Sequence, residues 1–105
     1  MVLRKEDLRS FSGSLIKRLF CILDYTNDAT TDEDFENISK FISGIETEIK
    51  GSLAYYSDVK FGNKMPSVLM KISGIKDVSD YNIRRKAVLD SIGIIDEIIK
   101  SLDKE

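Results

Sequence analysis

Apolar residues recur at helical intervals through most of the chain. In the middle they fall at Phe35, Ile38, Ile42, Ile45, Ile49, Leu53 and Tyr56. Such three- and four-residue steps stack side chains on one face of a helix. The spacing predicts a single helix over about 31–60, which would extend about 45 Å at 1.5 Å per residue. Upstream, Leu8, Phe11, Leu15, Leu19 and Ile22, widened by Ile16, Phe20 and Leu23, predict a first helix over about 6–26. Downstream, Met65, Val68, Leu69 and Ile72 predict a third helix of about two turns. Tyr81, Val88, Ile92, Ile95, Ile99 and Leu102, with Ile94 and Ile98 beside them, predict a fourth that continues to about Leu102.

Polar residues punctuate these stripes. Asn27 and Asp28 interrupt the first. Thr30 followed by Glu33 reads as a capping box for the second helix. Asp32, Glu33, Asp34 and Glu36 crowd its first turn, where the helix dipole favours carboxylates. Gly62-Asn63 reads as its C-terminal cap. Pro66 suits the first turn of the third helix, Gly74 its end, and Asp77 or Ser79 the cap of the fourth. Short connections favour antiparallel neighbours. The expected fold is all-α, an antiparallel up-down bundle of three long helices plus one short helix folded over one end. It should form one domain over residues 1–105. Isoleucine is frequent despite a middling helix propensity, so packing rather than local preference must hold the helices.

Composition agrees with that outline. One proline and six glycines in 105 residues leave room for long helices. A hydrophobic share of 42% beside a charged share of 32% suits a soluble globular domain rather than a disordered chain. The longest apolar run, Leu19 to Leu23, is far short of the ~20 residues a membrane span needs. Nor does the N-terminal Met1 to Asp7 open an apolar signal segment. A lone Cys21 favours a reducing compartment, so a cytoplasmic location is expected, in a cell or a virus-infected cell. Next to the apolar face, Cys21 reads as a buried thiol.

Charge is unevenly distributed. Residues 1–23 carry a net +3, residues 24–58 a net −7, residues 59–89 a net +5 and residues 90–105 a net −3. The alternation lets neighbouring helices compensate one another, or it marks a basic surface for a partner. With no histidine and one cysteine, His-based catalytic groupings and the usual zinc sites are excluded. The six glycines are too scattered for a phosphate loop or dinucleotide fingerprint. The inward positions of the stripes read as aliphatic, leaving no place for a carboxylate metal site. No catalytic residue, cofactor or metal is therefore expected.

Several groupings are candidates for binding. Gly44, Thr47, Gly51 and Ala54 form a stripe of small residues on the second helix, roughly opposite its apolar seam. Glycines inside a helix cost about 1 kcal/mol each against alanine. The stripe therefore points to close approach by another helix, though an acidic helix is poorly suited to pair with itself. Phe41 and Tyr55 flank the seam, and tyrosine offers area and a polar tip together. The other reading of this flank is a widened core face. The amphipathic, basic first helix could also lie on an anionic membrane or in a partner groove, but its apolar face is needed for the core.

The basic region contains Lys60, Lys64, Lys71, Lys76, Arg84, Arg85 and Lys86. Within it, Leu69-Met70-Lys71-Ile72-Ser73-Gly74-Ile75 leading towards Ile83 resembles the helix-hairpin-helix motif. That motif implies backbone N–H contacts to DNA phosphate. Lys76 stands where the motif has its second glycine, and Asp80 where it has a small residue.

The leading expectation is a non-catalytic protein-interaction module, a small regulator, adaptor or inhibitor. It would bind a protein partner, or assemble as a homo-oligomer, through Gly44, Thr47, Gly51, Ala54 and Tyr55. The alternative is a nucleic-acid-binding protein contacting phosphate through Lys64, Lys71, Lys76, Arg84 and Arg85.

Overall fold

A computed structural model describes the backbone of residues 5–55 and 59–103 and the side chains of residues 6–53 and 64–101. Every element among them is a helix: α1 (Lys5–Asp28), α2 (Asp32–Tyr55), α3 (Val59–Gly74) and α4 (Tyr81–Asp103). α1 packs on α2 and α4, and α3 packs on the same two. The molecule is elongated, 45 × 23 × 19 Å, its long axis exceeding the about 36 Å that its 24-residue helices span.

The starts of α2 and α4 each have an identifiable cause. Thr31 caps α2: its Oγ1 accepts from the Asp34 N–H at 3.1 Å, and Asp34 Oδ2 accepts from the Thr31 N–H at 3.1 Å. Asp34 also accepts from the Thr30 N–H at 3.0 Å. The reciprocal box therefore exists one residue later than Thr30 and Glu33 suggest, because Asp34 serves two successive backbone donors at once. At α4 the cap is Asp80, not Asp77 or Ser79, with its Oδ1 accepting from the Ile83 N–H at 3.0 Å.

The middle of the chain departs most from expectation. The single helix expected over 31–60 is two elements, α2 to Tyr55 and α3 from Val59. Residues 56–58, Tyr56 among them, lie outside the described residues. α3 is 16 residues long rather than two turns, and Gly62-Asn63 lie inside it instead of capping α2. No described residue has a positive φ, so neither glycine nor asparagine acts as a left-handed cap. Pro66 also falls in the interior of α3, where it denies the Gly62 carbonyl its helical donor. Burial of Met65, Val68 and Ile72 against the neighbouring helices outweighs these local costs. α3 ends at Gly74, as expected.

The core runs through all four helices. Leu15, Leu19, Ile22, Ile42, Ile49, Ile72, Val88 and Ile95 are fully buried, and Leu8, Ile38, Ile45, Ile75 and Ile98 nearly so. The expected seam residue Tyr81 and the flanking Phe20 stay out of it, 39% and 45% exposed. On α4 the inward row is Arg84, Val88, Ser91, Ile95 and Ile98, a 4-3-4-3 repeat. Its register carries Arg84 inward, while Tyr81, three residues earlier on the same repeat, is exposed as the first residue of α4. Ser12, Thr26, Glu46 and Ser52 are buried too, so the inward positions are not all aliphatic.

Candidate functional site

Two clefts flank the N-terminal half of α2. The first, of about 360 Å³, lies between α1 and α2 and is lined by Tyr25, Asp28, Ala29, Asp34, Asn37, Ile38 and Phe41. Its wall is an edge-to-face pair, the Tyr25 and Phe41 rings 5.3 Å apart at 84°. Phe41 is thus half-buried against a ring of α1, while Tyr25 remains exposed. Asp34 sits at the rim with its carboxyl held below the ordinary range. The Thr30 N–H contributes most to that shift, then the Thr31 hydroxyl and N–H.

The second cleft, of about 320 Å³, lies between α2 and the turn that joins α3 to α4. Phe35, Glu36, Ser39, Lys76, Asp77, Ser79 and Arg84 line it. A polar network spreads from it into the interior. Ser39 Oγ donates to the Lys76 carbonyl at 2.7 Å. Lys76 Nζ pairs with Glu46 Oε1 at 3.1 Å, and Ser73 Oγ donates to Glu46 Oε2 at 2.6 Å. The Glu46 side chain is 10% exposed. The Ser73 hydroxyl is the main influence lowering its pKa; burial opposes the shift and Lys76 adds to it.

Arg84 occupies the inner end of this network. It is 1% exposed. Its Nη1 donates to Thr26 Oγ1 at 2.9 Å, and Thr26 Oγ1 in turn donates to the Ile22 carbonyl at 2.6 Å. Its Nη2 donates to the Lys76 carbonyl at 3.3 Å, and its Nε is buried without an acceptor. No carboxylate pairs with it among the described residues, and burial pushes its pKa below the usual guanidinium value.

The residues suggested by sequence fall into separate places. Gly44, Thr47 and Gly51 are exposed on the outer face of α2. A Cβ at either glycine would meet nothing within 4 Å, and Thr47 donates only to the Ser43 carbonyl of its own helix at 3.0 Å. Ala54 and Tyr55 belong to α2, but their side chains lie outside the described residues.

The basic set is divided among different environments. Lys64 pairs with Glu97 at 3.1 Å and Lys76 with Glu46, Lys71 is half-buried, and only Arg85 is fully open. Arg84 is not on the outer surface, because the α4 register buries it, and it reaches solvent only as part of the lining of the second cleft. Arg18 reaches Glu48 across α1 and α2, so each of these interhelical pairs joins a basic segment to an acidic one. Cys21 is a free thiol, half-buried rather than fully enclosed.

Among the described residues no group of three or more acidic, cysteine or histidine side chains could hold a metal, and no helix is long and apolar enough to cross a membrane. Sequence reasoning missed Arg84 and Glu46 as interior groups. The available signal was the 4-3-4-3 repeat through Arg84, which is legible only if a charged residue is admitted to a seam. No known protein family matches the chain, and comparison with curated proteins and with solved structures returns no significant match.

Proposed function

We propose that the chain is a non-catalytic protein-interaction module, a small regulator, adaptor or inhibitor. It is built as an antiparallel up-down four-helix bundle that presents the outer face of α2 to a protein partner. The bundle topology is supported by which ends are tied together. Thr26, late in α1, bonds to Arg84, early in α4; Ser39, early in α2, bonds to Lys76, just after α3. Lys64, early in α3, pairs with Glu97, late in α4. Three-residue and six-residue connections, Ala29–Thr31 and Ile75–Asp80, suit reversals between adjacent helices.

The observation that carries the interaction reading is the open surroundings of Gly44 and Gly51. Neither has a positive φ, and neither makes room for a neighbour within the chain. Each still gives up about 1 kcal/mol of helix stability relative to alanine. With no internal use for a missing Cβ, the use assigned here is external: a partner backbone that comes close to α2 between Gly44 and Gly51. The same open surroundings hold at Gly13 and Gly93 on other helices. What separates α2 is the pairing of two such positions seven residues apart with exposed Thr47 between them. The acidic first turn of α2 favours a partner segment of neutral or positive charge.

The test uses Gly51→Leu, for which the monomer has space. The partner is identified by cross-linking and mass spectrometry in the native host, then purified. The substitution is expected to leave helicity unchanged and weaken binding at least tenfold, about 1.4 kcal/mol. Equal affinity for wild type and variant would remove the outer face of α2 from the interface.

A further inference from the structure

A guanidinium has two hydrogen-bonding edges. One is formed by the two terminal nitrogens, and the other by Nε–H with the N–H of Nη2, which point the same way and match the two oxygens of a carboxylate. In Arg84 the Nη1 side is satisfied by Thr26 at 2.9 Å. Nη2 has one long contact, 3.3 Å to the Lys76 carbonyl, and Nε has none. That carbonyl is shared with Ser39, which holds it at 2.7 Å. Nε and Nη2 together therefore have a single neutral acceptor between them, in a side chain 1% exposed. A buried guanidinium without a counter-charge is costly, and a buried donor without an acceptor adds to that cost. Lys76, the other cation on the lining of the second cleft, is paired with Glu46, so the uncompensated positive charge there belongs to Arg84.

Arg84 lies at the wall of the second cleft, between α2 and the turn after α3. We infer that this cleft is a binding site for a monocarboxylate carried on a small apolar body, with Arg84 as its counter-ion. The anion takes the Nε/Nη2 edge as a fork, and the Lys76 carbonyl moves off Nη2 to admit it. Phe35 supplies an apolar wall, and Ser79 a hydroxyl donor at the mouth. Glu36 and Asp77 on the same lining repel any anion, but a dianion about twice as strongly, which favours a monocarboxylate over phosphate. A cleft of about 320 Å³ fits a short-chain acid or the last residue of a peptide bearing its free C-terminus. Both sources present the same chemistry. The inference is independent of the outer face of α2.

The experiment follows the Arg84 Nε–H resonance by NMR, together with the unfolding temperature, on the full chain. The probes are sodium butyrate, N-acetyl-alanyl-leucine, sodium phosphate and sodium chloride at matched ionic strength. Butyrate or the peptide is expected to move the Nε–H resonance saturably at up to ~50 mM, where a site with a Kd of about 1 mM is nearly full. It should also raise the unfolding temperature by on the order of 10 °C. The peptide binding better than butyrate assigns the site to a chain terminus, and the reverse assigns it to a free acid. Arg84→Lys keeps the charge without the fork and should lose at least tenfold in affinity. An unmoved resonance overturns the site, as does an equal response to chloride. Tighter binding of phosphate than of either carboxylate overturns the ligand class. These readings on the wild type decide the matter even where the Arg84→Lys chain does not fold.

Discussion

At the scale of single residues, the interior is decided by polar groups as much as by aliphatic ones. Ser12 Oγ is buried without a partner, whereas Ser91 and Thr26 return their hydroxyls to the carbonyls of Ala87 and Ile22. Removing an unsatisfied hydroxyl relieves its desolvation penalty. Ser12→Ala should therefore stabilise the chain by about 1 kcal/mol, read from urea unfolding at unchanged m-value. Ser91→Ala lacks that gain, and a matching stabilisation there would argue against the explanation. Glu46 makes a second residue-scale case. Its carboxyl is depressed in the folded chain, so it binds protons more weakly there than in the unfolded chain. The resulting stability is present above the ordinary glutamate pKa and is lost as pH falls through the lower folded value. Glu46→Gln should flatten that acid limb, and at neutral pH cost about 1 kcal/mol by leaving Lys76 without its partner. An acid limb of unchanged slope in Glu46→Gln would show that other carboxylates, Asp34 among them, carry it.

At the scale of elements, the apolar stripes specify helices well and their limits poorly. Thr30 and Thr31 are both followed three residues later by an acid, so the text alone allows two capping boxes. The structure uses Thr31 with Asp34, whose carboxylate can also reach the Thr30 N–H. Thr31→Ala is expected to cost about 1 kcal/mol by thermal unfolding, and Thr30→Ala distinctly less. A larger loss at Thr30 would return the cap to the earlier position. Gly62-Asn63 illustrates the opposite error. As a dipeptide it is a good helix terminator, yet it lies inside α3, because burial of Met65, Val68 and Ile72 rewards extending the helix backwards through it. Phe20 shows that stripe membership is a matter of degrees of rotation, since it stands beside the fully buried Leu19. Tyr81, by contrast, keeps the inward repeat of α4 but is its first residue, at the end of the packed length.

For the whole molecule, the isoleucines of α2 and α4 are the common ground on which four helices meet. Ile49 and Ile95 are fully buried. Ile49→Ala is expected to remove 2–5 kcal/mol, from lost transfer energy and the cavity left behind, in one cooperative transition. That is a large part of the 5–15 kcal/mol a domain of this kind holds, so the variant should melt far below wild type. Separate transitions for different helices would mean that the four do not share one core. The charge alternation along the chain finds partners at this scale. Arg18 with Glu48, Lys64 with Glu97 and Lys76 with Glu46 each cross from a basic segment to an acidic one. The first two are largely solvent-facing and contribute little stability, so they bear on which helices neighbour each other more than on how firmly they hold.

The sequence by itself determined that the chain is helical, which faces of α1, α2 and α3 turn inward, and that charge alternates in sign from segment to segment. Periodicity and charge are local records, written one residue at a time and readable without knowing what packs where. Tertiary structure alone decided where α2 gives way to α3, which of two threonines caps α2, and that Arg84 belongs to the interior while Arg85 beside it does not. Those outcomes are differences between competing local options of about 1 kcal/mol each. Burial against a neighbouring helix shifts each by more than that, and the neighbour is supplied by residues tens of positions away.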